Sequence, residues 1–504
     1  MKVVYGRDQK IKGSLTGDFD KDYAFLEAVF ERSGDIVKNP FYIADFCRAA
    51  AIYVDGMTDA DMVEDFVIRP LLKKKWEEKI SGRELLFYIE NHVMETVDWK
   101  EDETFEDILT DILSGNTLLL LEGCKKAIIL STKKYPSRGV GETQQEMVIR
   151  GPKDSFTENM RINTALIRRR IRDPRLKMEH TMTGERSKTD LAIIYMEDLV
   201  RPELLEKIRE KVKNISFDGI FDGGMVEQLL EENAWSPFPQ FQHTERPDKA
   251  ASGLLEGRIV LAVDNSPGVL ILPATYQMFF QAGDDYYTRF EVASFARVLR
   301  FVASLFAIGF PGLYVAIAAF HTEMLPASFL LSVAVARTGI VIPVALEVLL
   351  MEFQFELLKE AGIHLPGQLG GTIGIVGGLI VGQAAVEAGI VSTVVVIVVS
   401  FTAIASFIVP NESFGSVFRL LKFLFIFTAA IWGIYGFLLT FAALLFHLSQ
   451  LESFGVPYML PSVCGENLNY DEKKDDYVRY PFAYMLKRPV FTREGRRIRK
   501  KEGR

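Results

Sequence analysis

The chain has 504 residues, a formal net charge of −8 and charged side chains at 25% of its positions, yet its mean hydropathy is positive. That length exceeds one ordinary globular core, and the acidic balance excludes nucleic acid as a main partner. Charge and hydropathy agree only if the chain is split into one charged part and one nearly charge-free part.

The N-terminus, MKVVYGRDQKIKGSLTGDFD, has no apolar core of signal-peptide length. The first segment is therefore expected to stay in the cytoplasm, with membrane insertion driven by later helices. Cys47, Cys124 and Cys464 stand far apart and fit no metal spacing. They read as reduced thiols or small buried residues, not as a disulfide framework.

Two stretches recur at one offset of 142 residues. IYVDGMTDADMVEDFVIRPLL begins at Ile52 and IYMEDLVRPELLEKIREKV at Ile194. Each reads as a buried strand, an acidic turn and an amphipathic helix. LSGNTLLLLEGCKKAIILS begins at Leu113 and LEGRIVLAVDNSPGVLILP at Leu255, each a strand, a turn and a second strand. The shared offset predicts a duplicated α/β unit. Between the halves, Asn159 to Arg172 is predicted helical and ends at Asp173-Pro174. Arg168, Arg169, Arg170, Arg172, Arg175 and Lys177 make this segment basic. It suits anionic headgroups or an acidic partner, or else a solvated linker helix paired to acidic neighbours.

Enzyme motifs are absent: there is no GxxxxGK[ST], HExxH or GxSxG. His321 and Glu323 sit two apart without a third metal ligand nearby. Asp284 and Asp285, before Tyr286 and Tyr287, read as a helix start at a membrane surface.

From Phe301 to Phe320 there is no charge, a length that matches a bilayer core. Between Leu365 and Asn411 the only charged side chain is Glu387, room for two spans, and Phe423 to Phe446 is charge-free again. The segment Leu325–Met351 carries Arg337, Pro343 and Glu347 and either crosses with paired charges or dips in and returns. Arg297 and Arg300 before the first span, and nine basic against two acidic residues in the last 18, favour a cytoplasmic start and tail. The preferred count is four full crossings with Leu325–Met351 re-entrant.

Inside these runs, charges are expensive and face a partner or water. Gln383 and Glu387 share a helix face and could line a polar path, unless Glu387 lies at an interface. Arg337, Glu347, Glu352 and Glu356 could form an intramembrane ion-pair set, or the carboxylates could lie in water on a surface helix with Leu349, Leu350 and Phe353 in lipid. Gly370, Gly374, Gly378 and Gly382 stand four apart and make a groove where another helix can approach, within one bundle or between subunits. The chain thus reads as an α+β soluble N-terminal region holding a duplicated α/β unit, followed by an all-α multi-span membrane domain. Its parts are an extension (1–40), cytoplasmic subdomains (41–150 and 151–290), a transmembrane helical domain (291–450) and a basic tail (451–504).

RGPKDSFTENMRINTALIRRRIRDPRLK, TERPDKAASGLLEGRIVLAVDNSPGVLILP, LKEAGIHLPGQLGGTIGIVGGLIVGQAAVEAGIV and SFGVPYMLP, in that order, closely resemble the A subunit of the GerA family of spore germinant receptors. They span most of the chain from Arg150 to Pro461. Where family members often read REAGIRLP, this chain has Lys359 and His364, so those arginines are not carried over as indispensable. The resemblance implies a multi-pass protein of the spore inner membrane with its N-terminal domain in the cytoplasm. It implies a transporter-like B subunit and a lipoprotein C subunit as partners, contact with lipid, assembly into a homo-oligomer that forms a gated cation channel, and neither enzyme activity nor a cofactor. A stage V sporulation AF-type paralogue shares the N-terminal words, but GQAAVEAG is closer to the receptor. A non-conducting scaffold is the competing function. A solute transporter would call for inverted membrane repeats, which the sequence lacks.

Overall fold

The computed structural model describes residues 11, 13–43, 47–73, 86–89, 98–135, 146–364, 378, 380–462, 474–489, 491–496 and 498–499. The chain forms two units: Met1–Glu231 with Phe241–Pro273 and Leu486–Arg504, and Glu232–Gln240 with Ala274–Met485.

The first unit is one motif built twice. Its first half runs α1 (Phe19–Val29), β1 (Ile36–Ile43), β2 (Cys47–Val54), a helical stretch over 60–73, β3 (Trp99–Asp102), α2 (Phe105–Ile112), β4 (Thr117–Leu121) and β5 (Ala127–Leu130). The second half runs α3 (Met160–Arg170), β6 (Leu176–Thr183), β7 (Thr189–Met196), α4 (Pro202–Lys213), α5 (Gly223–Leu230), β8 (Gln242–Thr244), α6 (Pro247–Leu255), β9 (Ile259–Val263) and β10 (Val269–Leu272). The antiparallel sheets have matching orders, β1-β2-β4-β5-β3 and β6-β7-β9-β10-β8. Register repeats as well: Ala49 faces Leu121, and Leu191 faces Val263, each 142 residues on.

The duplication reaches further toward the N-terminus than the recurring words show. Asp18 caps α1 and Asn159 caps α3. The Thr16 amide donates to Asp22, as the Thr157 amide donates to Asn163. Strand β1 thus begins before the boundary drawn at residue 40, and the predicted linker helix is α3, the opening element of the second copy. The central strands are continuous apolar runs because both faces are covered. Leu118 and Leu120 pack with α1 and α2 residues Leu26, Ile108 and Ile112. Leu119 and Leu121 point the other way, onto Val67 and Leu71. Each fully buried leucine contributes about 1.5–3 kcal/mol.

The basic segment is paired internally. Arg168, 1% exposed, holds Asp35 through two bonds, Nε at 2.7 Å and Nη2 at 3.0 Å, and donates to the Asp173 and Leu176 carbonyls. It joins the second copy to the loop after α1 in the first, where the Gly34 amide donates to the Met178 carbonyl at the edge of β6. Arg170 pairs with Asp154, and Arg175 with Asp173 and Asp198. The end of the tail, from Leu486, also belongs to this unit. The Arg493 amide donates to the Leu199 carbonyl, Thr492 Oγ1 donates to the Glu256 carbonyl, and Phe491 is buried beneath the Arg258 guanidinium.

The second unit is helical: α7 (Phe290–Phe320), α8 (Ala327–Ala336), α9 (Val344–His364), helical residues 380–387, α10 (Thr393–Phe407) and α11 (Glu412–Gln450). Two of these, α7 and α11, are long and apolar enough to cross a bilayer by length and composition. The predicted segment Leu325–Met351 is divided by the loop 337–343, and its second part continues as α9 to His364. The run Phe423–Phe446, expected as one span, turns back on itself. At Gly433 the backbone takes φ 59° and ψ −139°, open only to glycine. Thr440 Oγ1 then lies 2.8 Å from Thr428 Oγ1, and the Phe425 and Phe437 rings stand 5.2 Å apart. In a continuous helix twelve residues would separate those threonines by about 18 Å.

The hairpin lies along α7. Phe414 shares a cluster with Phe280 and Phe301, Gly312 meets the Phe425 backbone, and Gly433 meets Phe320 and His321. A Cβ on Gly312 would stand 2.9 Å from the Phe425 carbonyl, so this crossing requires glycine. Cysteines at Thr428 and Thr440 are expected to cross-link readily in the detergent-solubilised chain under mild oxidation. Absence of the cross-link, read on a non-reducing gel after chain cleavage between the arms, would refute the hairpin.

Candidate functional site

Helix α9 carries acids on the face it turns inward. It runs against the first arm of α11: Val344, Val348 and Met351 share a cluster with Ile426, Ala429, Val315 and Ala316, toward the Gly433 end. One turn apart on this face, Glu352 and Glu356 meet Lys422. The Lys422 ammonium donates to Glu352 Oε2 at 2.6 Å and to Glu356 Oε1 at 2.8 Å. Arg419, one turn before Lys422, reaches Glu356 Oε2 at 3.5 Å and donates to Ser416 Oγ at 2.6 Å. Glu352 is 0% and Lys422 3% exposed.

The four charges named from sequence split into two groups. Glu347, fully buried, pairs with Arg337 Nη2 at 3.0 Å and accepts the Ser392 amide at 2.9 Å. Because Ser392 also caps α10, this ion pair ties the loop before α9 to the start of α10. Glu352 and Glu356 belong to the second group, whose cations the sequence reading missed. Arg419 and Lys422 lie three apart, just before the charge-free run. A span counted from its first uncharged residue, Phe423, leaves Lys422 outside as a flanking charge. The signal that could have found them is the matched spacing, Glu352–Glu356 against Arg419–Lys422.

Gln383 and Glu387 share a face as expected, Gln383 Nε2 donating to Glu387 Oε1 at 3.0 Å, and both are exposed. They stand with Lys359, Gly378 and Gly382 on the wall of a largely apolar groove of about 1290 Å³. Gly370 and Gly374 lie outside the described residues. Among the described residues only Leu358 Cδ1 comes within 4 Å of a Cβ placed on Gly378, and only Val396 Cγ1 for Gly382, each at 3.9 Å. Among the described residues the glycines of this unit that meet another backbone closely are Gly312, against Phe425, and Gly436, against the Thr428 carbonyl.

A third group sits at the start of α7. Asp284 and Asp285 open a short helix over Asp284–Tyr287, as expected, and Asp285 is buried between Arg297 at 3.0 Å and Arg300 at 2.8 Å, while Arg297 also holds Asp475 at 2.8 Å. Arg479 donates to the Asp285 carbonyl. Burial pushes the neighbouring Asp476 carboxyl up to about 6, against the pull of Arg297. Among the described residues no group of three or more His, Cys, Asp or Glu side chains could hold a metal ion.

An α/β domain built twice, joined to a helical unit with two bilayer-length apolar helices and ion pairs buried among them, defines a two-part protein of the membrane-associated class. The model described as Bacillus/Clostridium GerA spore germination protein matches residues 24–491. The chain belongs to the GerA family of spore germination proteins. It is 39% identical to Spore germination protein A1 of Bacillus subtilis (strain 168), over 90% of this chain and 91% of that one. It is 37% identical to the Uncharacterized membrane protein YfkQ of the same organism, over 92% and 89%. Neither name is that of an enzyme. A crystal structure of the N-terminal domain of the A subunit of the Bacillus megaterium spore germinant receptor GerK3 is 30% identical, covering 53% of this chain and 98% of that one, with a TM-score of 0.43.

Proposed function

We propose that this chain is the A subunit of a nutrient germinant receptor in the spore inner membrane, and that it supplies the gated ion path that starts germination. Its partners in this reading are a transporter-like B subunit, a lipoprotein C subunit and further copies of itself. Similarity to a germination protein along nine-tenths of the chain supports the receptor role. The observation that carries the ion-path role is the Lys422–Glu352–Glu356 group, since charges kept inside an apolar helical unit mark ion or substrate routes.

By length the run 365–411 has room for two passes, and α7, α9 and the two arms of α11 bring the membrane reading to six. The end of the tail, from Leu486, groups with the first unit, and an even count, which keeps the two on one side, suits this reading. This raises the expected four crossings to six, with α8 as the re-entrant piece and the first unit in the cytoplasm. Gln383 and Glu387 on the groove wall are the proposed polar path, and Gly378 and Gly382, which among the described residues meet only side chains, at 3.9 Å, the proposed contact with another copy.

The test is cation flux. Liposomes loaded with rubidium and carrying the chain with its B and C partners should release the ion when nutrient is added, and Glu387→Ala with Gln383→Ala should slow release at least tenfold. No release from any preparation would favour the scaffold. Release unchanged in the double variant would remove the polar-path assignment.

A further inference from the structure

We propose that Glu352 and Glu356 form a monovalent-cation site, and that the Lys422 ammonium is its tethered occupant in the state described here. The inference rests on the membrane reading above and deepens it by naming where the cation binds.

Depth is the first argument. Lys422 is ten residues from Glu412 and eleven from Gly433, so about 15 Å of helix separates it from either end of its arm. A bilayer's hydrocarbon core is about 30 Å thick, which puts the ammonium near its centre. Stability does not explain a charge there, because well-packed apolar residues commonly do as well as a buried ion pair.

Coordination is the second argument. Two carboxylates one helical turn apart grip a single Nζ at 2.6 and 2.8 Å. An ammonium and a potassium ion are alike in charge and size, and both take oxygen ligands. Arg419 serves Glu356 but not Glu352. Among the described residues Oε1 of the fully buried Glu352 has no hydrogen-bond partner, an acceptor that Lys422 does not use. With Lys422 in place the four side chains sum to zero. Withdrawing the ammonium leaves one negative charge and two carboxylates converging on the vacated point. A cation entering there replaces one positive charge with another, so no net charge is buried by the exchange.

The test reads binding rather than conduction. Full-length chain in detergent is unfolded thermally in KCl and in N-methylglucamine chloride of equal ionic strength. Lys422→Met should unfold higher in KCl by on the order of 4 °C, the size expected when the ion exceeds its dissociation constant about tenfold. Wild type and the double variant Glu352→Gln with Lys422→Met should show no potassium-specific shift. A folded Lys422→Met that ignores potassium overturns the proposal, and so does a shift that survives in the double variant. If Lys422→Met yields no folded protein, Lys422→Gln is read the same way. Failure of both to fold even in KCl makes the lysine purely structural and ends the proposal. A potassium-specific shift in a chain that passes no rubidium would refute the channel reading alone.

Discussion

Arg168→Ala should destabilise the chain by about 3–5 kcal/mol, the range for removing one partner of a buried ion pair. The loss is large because Asp35, 3% exposed, would keep its charge with no counter-ion, and the Asp173 and Leu176 carbonyls would lose their donor. Thermal or urea unfolding of the full chain in detergent measures it. Arg168→Lys should recover only part, since an ammonium cannot match both carboxylate oxygens. The double variant Asp35→Leu with Arg168→Met should lie closer to wild type than Arg168→Ala, because it buries no unpaired charge. If Arg168→Ala unfolds within 1 kcal/mol of wild type, the ion pair does not hold the two copies together.

Gly433→Ala is the second large effect expected. The glycine-only dihedral adds about 1–3 kcal/mol of strain, and the new methyl adds overpacking of about 1–3 kcal/mol, because it would lie 2.9 Å from His321 Cε1 and 3.1 Å from Phe320 Cβ. The arms would be forced apart or straightened. Protection of an engineered Thr428–Thr440 cysteine pair should fall with the melting midpoint. Gly455→Ala, at φ 79° with nothing within 4 Å of the added carbon, separates backbone strain from the clash.

How far these features could be read from residues alone depends on what marks them. The recurring words at Ile52, Leu113, Ile194 and Leu255 are buried strands and their turns, where packing constrains nearly every side chain, so the repeat shows through. Strands β1 and β6 escape the same comparison because they are edge strands with polar outward positions, and their offset slips to 140 across a shorter loop. Helices α1 and α3 share caps but not surfaces. In the helical unit, Glu352 and Glu356 stand out by spacing, while their cations fall outside a window defined by missing charge. The turn at Gly433 is silent in sequence. In FTAAIWGIYGF a glycine inside an apolar run reads as ordinary helix packing, with no proline or polar pair to mark a reversal. The helix start at Asp284 and Asp285 is legible, but the ion pairs of Asp285 are not, because Arg297 and Arg300 lie three and four turns further on, in what reads as a flanking basic patch.

The Asp35–Arg168 bond has a bearing on how the chain avoids assembling wrongly. By the repeat, the position matching Asp35 is Arg175 and the one matching Arg168 is Glu27. A first copy docking on another first copy would set Asp35 against Glu27, and a second copy on a second would set Arg175 against Arg168. Like meets like in both, and only unlike copies attract. Two sheets of matching strand order thus carry opposite signs at their mating points, so docking of a first copy on a first copy, or a second on a second, from neighbouring chains is opposed.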